Sequence, residues 1–167
     1  MLNRPQDALW NEVGDLKRAV RDLQAMEIVR PYCVLTASSA PSIATSTWTA
    51  LSWDTETKNV GGMHSTTTNP TRVTAAVPAL YTMKGGVGWS AYTSGLRELE
   101  IRVNGTIRRR VRQEADSSSG QVYHEIALDW FLDVGDYAEL YVWHNRGSNL
   151  SIFQNNYSPF FSVAQLA

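Results

Sequence analysis

Three histidines, three carboxylates around one turn and a run of arginines are the residues of this chain best placed to do chemistry. His64, His124 and His144 could each act as a general base or a metal ligand. None has a second ligand-type residue at metal-site spacing, and His124 and His144 sit inside apolar alternations, where packing is the expected role. Asp133, Asp136 and Glu139 flank a Gly-Asp turn; paired carboxylates there could hold calcium, but the calcium-loop spacing is missing. A turn-stabilising role is the stronger expectation. No Gly-x-Ser-x-Gly elbow, phosphate-binding glycine loop or His-Glu-x-x-His occurs. No catalytic residue, metal or cofactor is therefore assigned. Glycosidase-type carboxylates scattered through a β fold stay open as a remote enzyme reading.

Arg108, Arg109, Arg110 and Arg112 form the one basic run. It suits a polyanion or surface glycan, or else a strand answered by Glu98 and Glu100. The hairpin around Asn104-Gly105 favours the second. One extra loop residue pairs Val103 with Ile107, Leu99 with Val111, Glu100 with Arg110 and Glu98 with Arg112. Tyr92 and Arg109 are kept as surface-binding candidates for a glycan or protein. Cys33, the only cysteine of the 167 residues, makes neither an internal disulfide nor a cysteine zinc site.

Two kinds of element must carry these residues. Leu9, Val13, Leu16, Val20 and Leu23 recur at spacings of four and three, the seam of a coiled coil with Val at a and Leu at d. Asp7 is expected to cap that helix, Glu12 and Lys17 to pair between neighbouring helices, and Glu27 to end the seam. A seam of about two heptads is marginal alone, so an attached oligomeric domain must hold the helices together. A single amphipathic helix lying on its own domain is the alternative. Residues 31–47, with Pro31 and Pro41 in a Ser/Thr/Ala stretch, read as a linker.

From Trp48 the period becomes two. Leu99, Ile101 and Val103 alternate with Glu98, Glu100 and Arg102, and Ala138, Leu140 and Val142 alternate with Tyr137, Glu139, Tyr141 and Trp143. Short strands with Gly/Asn/Asp turns between them predict an antiparallel β sandwich. Tyr137, Tyr141 and Trp143 share the parity opposite a complete core face. They are expected either to bury against neighbouring subunits or to line a second layer.

Composition narrows the function classes. The chain is 43% hydrophobic and 19% charged, with a net charge of -1. That balance argues against a nucleic-acid binder, and no segment is apolar enough for membrane insertion. The first residues lack the apolar stretch of a secretory signal, so synthesis in the cytoplasm without a signal peptide is expected.

Several segments in series resemble the complement C1q/tumour-necrosis-factor-like jelly-roll family. Arg72 to Tyr81 is similar to its strand–turn–strand around Val-Pro, with Ala79 where glycine is usual. Leu99 to Gly105 resembles its strand ending in Asn-Gly, and Leu132 to Val142 its Leu-x-x-Gly-Asp-x-Val-x-Leu signature. Tyr157 to Leu166 resembles the closing strand, without the usual Phe-x-Gly. Gly61 to His64 and Thr68 to Arg72 are more similar to bacterial and actinobacteriophage versions than to animal ones. The resemblance implies a mainly β antiparallel jelly roll over 48–167, preceded by an N-terminal coiled-coil stalk or anchor over 1–30. It also implies a non-catalytic homotrimer on a virion surface, as a minor tail, fibre or head-decoration protein, with other virion proteins as partners and a host glycan or protein as the target. A bacterial carbohydrate- or protein-binding module is the alternative.

Overall fold

A computed structural model of the chain describes residues 4–25, 30–118 and 120–166. One α-helix, α1 (Arg4–Ala25), precedes twelve described strands. The described helix already includes Arg4, ahead of Asp7, so Asp7 lies within the helix rather than at its cap. The side chains of Asp7 and Leu23, and all of Glu27, lie outside the described residues.

The strands are β1 (Tyr32–Thr36), β2 (Ser42–Ile43), β3 (Thr49–Ala50), β4 (Thr55–Val60), β5 (Arg72–Thr74), β6 (Ala79–Trp89), β7 (Leu96–Val103), β8 (Thr106–Glu114), β9 (Val122–Leu132), β10 (Tyr137–His144), β11 (Leu150–Ser151) and β12 (Phe160–Gln165). They form two facing antiparallel sheets. The first runs β4-β1-β12-β6-β9 and the second β3-β10-β7-β8, with β5 also on β10. Strands β2 and β11 pair separately. Neighbours far apart in sequence, such as β1 beside β12 and β7 beside β10, are the mark of a jelly roll.

Residues 31–47 are not a linker. Tyr32 to Thr36 lie between β12 and β4 with Cys33 and Leu35 fully buried, and Ile43 is buried in β2. The apolar alternation there is only two residues long and bracketed by prolines, too short to outweigh the turn signals around it.

Between the sheets, Tyr81, Met83, Val87 and Trp89 of β6 meet Leu99, Ile101, Leu140 and Val142, and the Trp53 ring stacks on Phe161. Val73 of β5 and Ala75 just beyond it are buried, while Val77 is exposed.

The β7–β8 hairpin differs from expectation in one detail. Leu99 faces Val111, Glu100 faces Arg110 and Glu98 faces Arg112, but Val103 faces Thr106 and Arg102 faces Ile107. Asn104 and Gly105, at φ 50° and 75°, make a two-residue turn of the kind that matches strand twist. The extra residue enters beyond Ile107, as a bulge at Arg108, and restores the acid–base pairs from there.

Candidate interaction surface

On the outer face of the second sheet, Tyr137, Tyr141 and Trp143 are only half exposed, because residues of the same chain cover them. The Arg72 guanidinium lies 3.9 Å from the Tyr137 ring centroid, and that of Arg102 lies 3.9 Å from Tyr141. Trp48 leans on Trp143 with centroids 6.2 Å apart and takes Arg102 and Arg110 against its own ring. Each contact combines ring electrostatics with area withdrawn from water.

Beneath this layer lie three carboxylates. Glu98, Glu100 and Glu139 point outward, yet they are buried by the arginines and rings above them. Arg102 Nε donates to Glu100 Oε2 at 2.7 Å while Arg110 grips Oε1. Arg112 places two donors on Glu98 Oε1, at 2.9 and 2.6 Å. Thr71 donates to Glu139 at 2.6 Å. Burial and the neighbouring Glu139 raise the Tyr141 phenol above its usual range. Most of the arginine run is thus consumed inside the chain. Arg108 stacks on Trp130, 4.5 Å from the ring centroid. Arg109, opposite Ile101 on the edge strand β8, is exposed, and its side chain has no hydrogen bond or ion pair among the described residues.

The first sheet presents a different outer face. Strand alternation turns Leu80, Thr82, Lys84, Gly86 and Gly88 of β6 outward, with Tyr123, Glu125, Ala127, Asp129 and Phe131 of β9 beside them. From β12 come Phe160, Ser162 and Ala164. The middle of the face is small and flat. Phe160 lies over Gly86 and Phe153 over Gly88 so closely that a Cβ on either glycine would collide with the ring. The Tyr123 ring meets Phe153 edge-on at 5.0 Å and Tyr157 at 6.0 Å. Phe131 at 56% and Tyr157 at 62% exposure, with Leu80 and Tyr123 nearly half exposed, leave large apolar area in water.

The sequence held a signal for this face. Strand β9 carries apolar residues on both parities, Val122, Ile126 and Leu132 inward and Tyr123, Ala127 and Phe131 outward, the mark of a strand covered on both sides.

Along α1, Leu9, Leu16 and Val20 are exposed, Leu16 at 61%, and Val13 is half-buried. With Lys17 and Arg21, the seam residues Val13, Leu16 and Val20 line an open groove made entirely by the helix. Trp10, off the seam, is 70% exposed. The described seam is therefore free of the head.

The remaining candidates are dispersed. Tyr92 packs at the core edge with the Arg146 guanidinium 4.0 Å over its ring. His64 Nδ1 lies 2.8 Å from Glu56 Oε1, a bond that holds the Glu56 carboxyl below its usual range. Cys33 is buried, and desolvation, helped by Glu56, pushes its thiol up to about 12. No group of three or more His, Cys, Asp or Glu among the described residues is arranged to hold a metal.

No family model matches the chain, and no curated protein matches it in sequence. Solved structures do. A crystal structure of murine APRIL at pH 5.0 superposes with a TM-score of 0.62 at 14% identity, covering 82% of this chain and 99% of that one. Two more, at pH 8.0 and pH 8.5, give 0.59 and 0.58 at 15% and 14% identity over the same shares. At that identity the likeness is one of architecture, and its content is plain: this chain folds as a tumour-necrosis-factor-like jelly roll with one helix ahead of it.

Proposed function

We propose that the chain is a self-associating, non-catalytic display module, with three heads packed through the outer face of the β4-β1-β12-β6-β9 sheet and α1 as the stalk. The carrying observation is the open apolar face bounded by Leu80, Phe131, Tyr123 and Tyr157. It is flat at its centre and sparsely charged, with Lys84, Glu125 and Asp129 as its ionic groups on β6 and β9. A face of that kind suits burial against copies of itself. The row Tyr137, Tyr141 and Trp143, already covered by Arg72, Arg102 and Trp48, is the weaker candidate for the same task. The sequence resemblance to the C1q/tumour-necrosis-factor-like family supports three copies rather than two. The bare Leu9–Val20 seam supports a coiled-coil stalk.

The same reading extends to location. The segments 61–64 and 68–72 resemble bacterial and actinobacteriophage forms, and that likeness supports a virion surface as the setting, with other virion proteins as partners. Mass photometry of the purified chain tests the assembly. A mass three times 18.6 kDa, falling to one copy in Phe131→Asp, is expected; a monomer at micromolar concentration removes the proposal. Recovery of the chain with purified particles tests the location separately.

A further inference from the structure

At one end of the sandwich the core is basic. Arg97 of β7 is fully buried, yet its guanidinium reaches only main-chain oxygens: Ser94 O and Leu96 O at 3.1 Å and Tyr92 O at 3.2 Å. Its Nε has no hydrogen-bond partner among the described residues. Across the core on β9, His124 is 4% exposed, and neither ring nitrogen has a hydrogen-bond partner among the described residues. His144, opposite Arg97 on β10, is fully buried. Its Nε2 lies 3.0 Å from Ile43 O, and its Nδ1 accepts from the Arg146 N–H at 3.2 Å. Those two bonds suit the neutral ring, since a proton on Nδ1 would point at another N–H. The Trp89 ring lies against both, 5.5 Å from His144 and 6.0 Å from the Arg97 guanidinium.

Among the described residues, no carboxylate faces this site from the strands around it. Strand β6 brings Val87 and Trp89, β8 brings Gln113 and Val111, and β10 brings Val142 and His144. Glu98, Glu114 and Glu125 lie on the opposite parity of their strands. The loops add Tyr92 and the cation Arg146. A buried imidazole beside a buried, unpaired guanidinium has nowhere to place a proton.

We propose that Arg97, His124 and His144 form an acid-sensitive clasp that holds this end of the sandwich closed and releases the loops around Tyr92, Gly120 and Arg146 when the surroundings acidify. The clasp holds those loops directly. Arg97 binds the carbonyls of Tyr92 and Ser94, Tyr92 N donates to Gly120 O at 2.9 Å, and Arg146 covers Tyr92.

The sign of the effect follows from linkage. Burial, reinforced by Arg97, lowers His124 from 6.5 to about 4, and burial lowers His144 in the same direction. Between those two values the opened site binds a proton that the closed site refuses, so the closed form loses ground as pH falls. One such proton raises the opening constant about tenfold per pH unit across the window, and a second from His144 steepens the slope.

Hydrogen exchange on the whole chain from pH 7.5 to 4, corrected for intrinsic exchange rates, tests the clasp. Amides at 90–97, 120–124 and 144–150 should open about tenfold more per pH unit below 6.5, while those of β1 and β12 hold. His124→Leu should flatten that slope, and His64→Gln should leave it unchanged. Simultaneous loss of protection in every strand, or an unchanged slope in His124→Leu, overturns the proposal. If His124→Leu does not fold, ring NMR of the unsubstituted chain decides: a His124 ring still neutral at pH 5 supports the clasp, and one titrating at its ordinary value overturns it.

Discussion

The Asn104 side-chain amide donates to Asp136 Oδ1 at 2.7 Å, joining two turns that lie 32 residues apart. Asn104 Oδ1 in turn accepts from Tyr137 N at 3.0 Å, and Asp136 Oδ2 accepts from Asp133 N at 2.9 Å. The Asn-Gly and Gly-Asp elements that stand out in the sequence are thus the two halves of one lock between β7 and β10. It leaves both Asp136 oxygens engaged, which gives the residue a turn-joining role.

That lock should be measurable. Asn104→Ala loses two hydrogen bonds and forces a side chain onto a positive φ, for roughly 2 kcal/mol and a melting point lower by about 4–8 °C. Asn104→Gly keeps the turn and should lose about half as much. The Asn104 bond, then that of Asp133, holds the Asp136 carboxyl below its ordinary 3.8. A depressed folded value stabilises above the unfolded value and is lost as pH falls through the folded one. The difference between Asn104→Gly and the parent should therefore shrink below pH 3.8, and thermal melts across pH 7 to 2.5 would show it.

The Glu100 site tests whether the outer layer of the second sheet is structural. Removing its carboxylate strands Arg102 beneath Trp48 and Tyr141 and leaves Arg110 half-held. Glu100→Gln should destabilise by about 3 kcal/mol, the low end of the range for breaking a buried pair because Arg110 still reaches water. A Glu100→Gln/Arg110→Met cycle in urea should return a coupling of about 1 kcal/mol or more. A coupling near zero would make the pairing ornamental.

Much of this sheet was legible because its strands alternate cleanly: Leu99, Ile101 and Val103 inward, Glu98 and Glu100 outward, with arginines in register on β8. Its cover was not legible. Alternation states which side of a strand a residue takes, not what lies across from it, so Tyr137, Tyr141 and Trp143 read as bare until Arg72, Arg102 and Trp48 arrive from other strands. Strand β1 hides for another reason. Its central place is fixed by pairing with β12 at the far end of the chain, which no local pattern between Pro31 and Pro41 records. The face on the first sheet lay in the two-sided apolar pattern of β9, where Tyr123 and Phe131 look like extra core.

Cys33 offers a probe of opening on the sheet beside that face. Its thiol is buried and raised to about 12, so at pH 8 only about one in ten thousand is thiolate, against roughly a quarter for a free cysteine. Iodoacetamide should leave the folded chain unmodified over hours and label it on denaturation. Rapid labelling of the native chain would mean that β1 separates from β12 or β4 under native conditions.

Assembly can be divided between helix and head by two substitutions. Leu16→Asp places a charge on a seam of about two heptads, which cannot hold a trimer alone. Gly88→Ala puts a methyl group where Phe153 lies, lifting that ring and with it the Tyr123 and Tyr157 edge of the flat face. If the head supplies most of the association, Leu16→Asp should weaken the trimer about tenfold or less, since its loss is confined to the part that works only at the high local concentration the head creates. Gly88→Ala should weaken it about a hundredfold while the monomer stays folded, because the misfit falls on the outer side of the sheet, where the proposed interface lies, and not on the Val87–Trp89 core side. Sedimentation equilibrium across a hundredfold concentration range separates the two effects. A trimer indifferent to Gly88→Ala but lost in Leu16→Asp would reverse the order, making the stalk the assembly device and the heads its passengers.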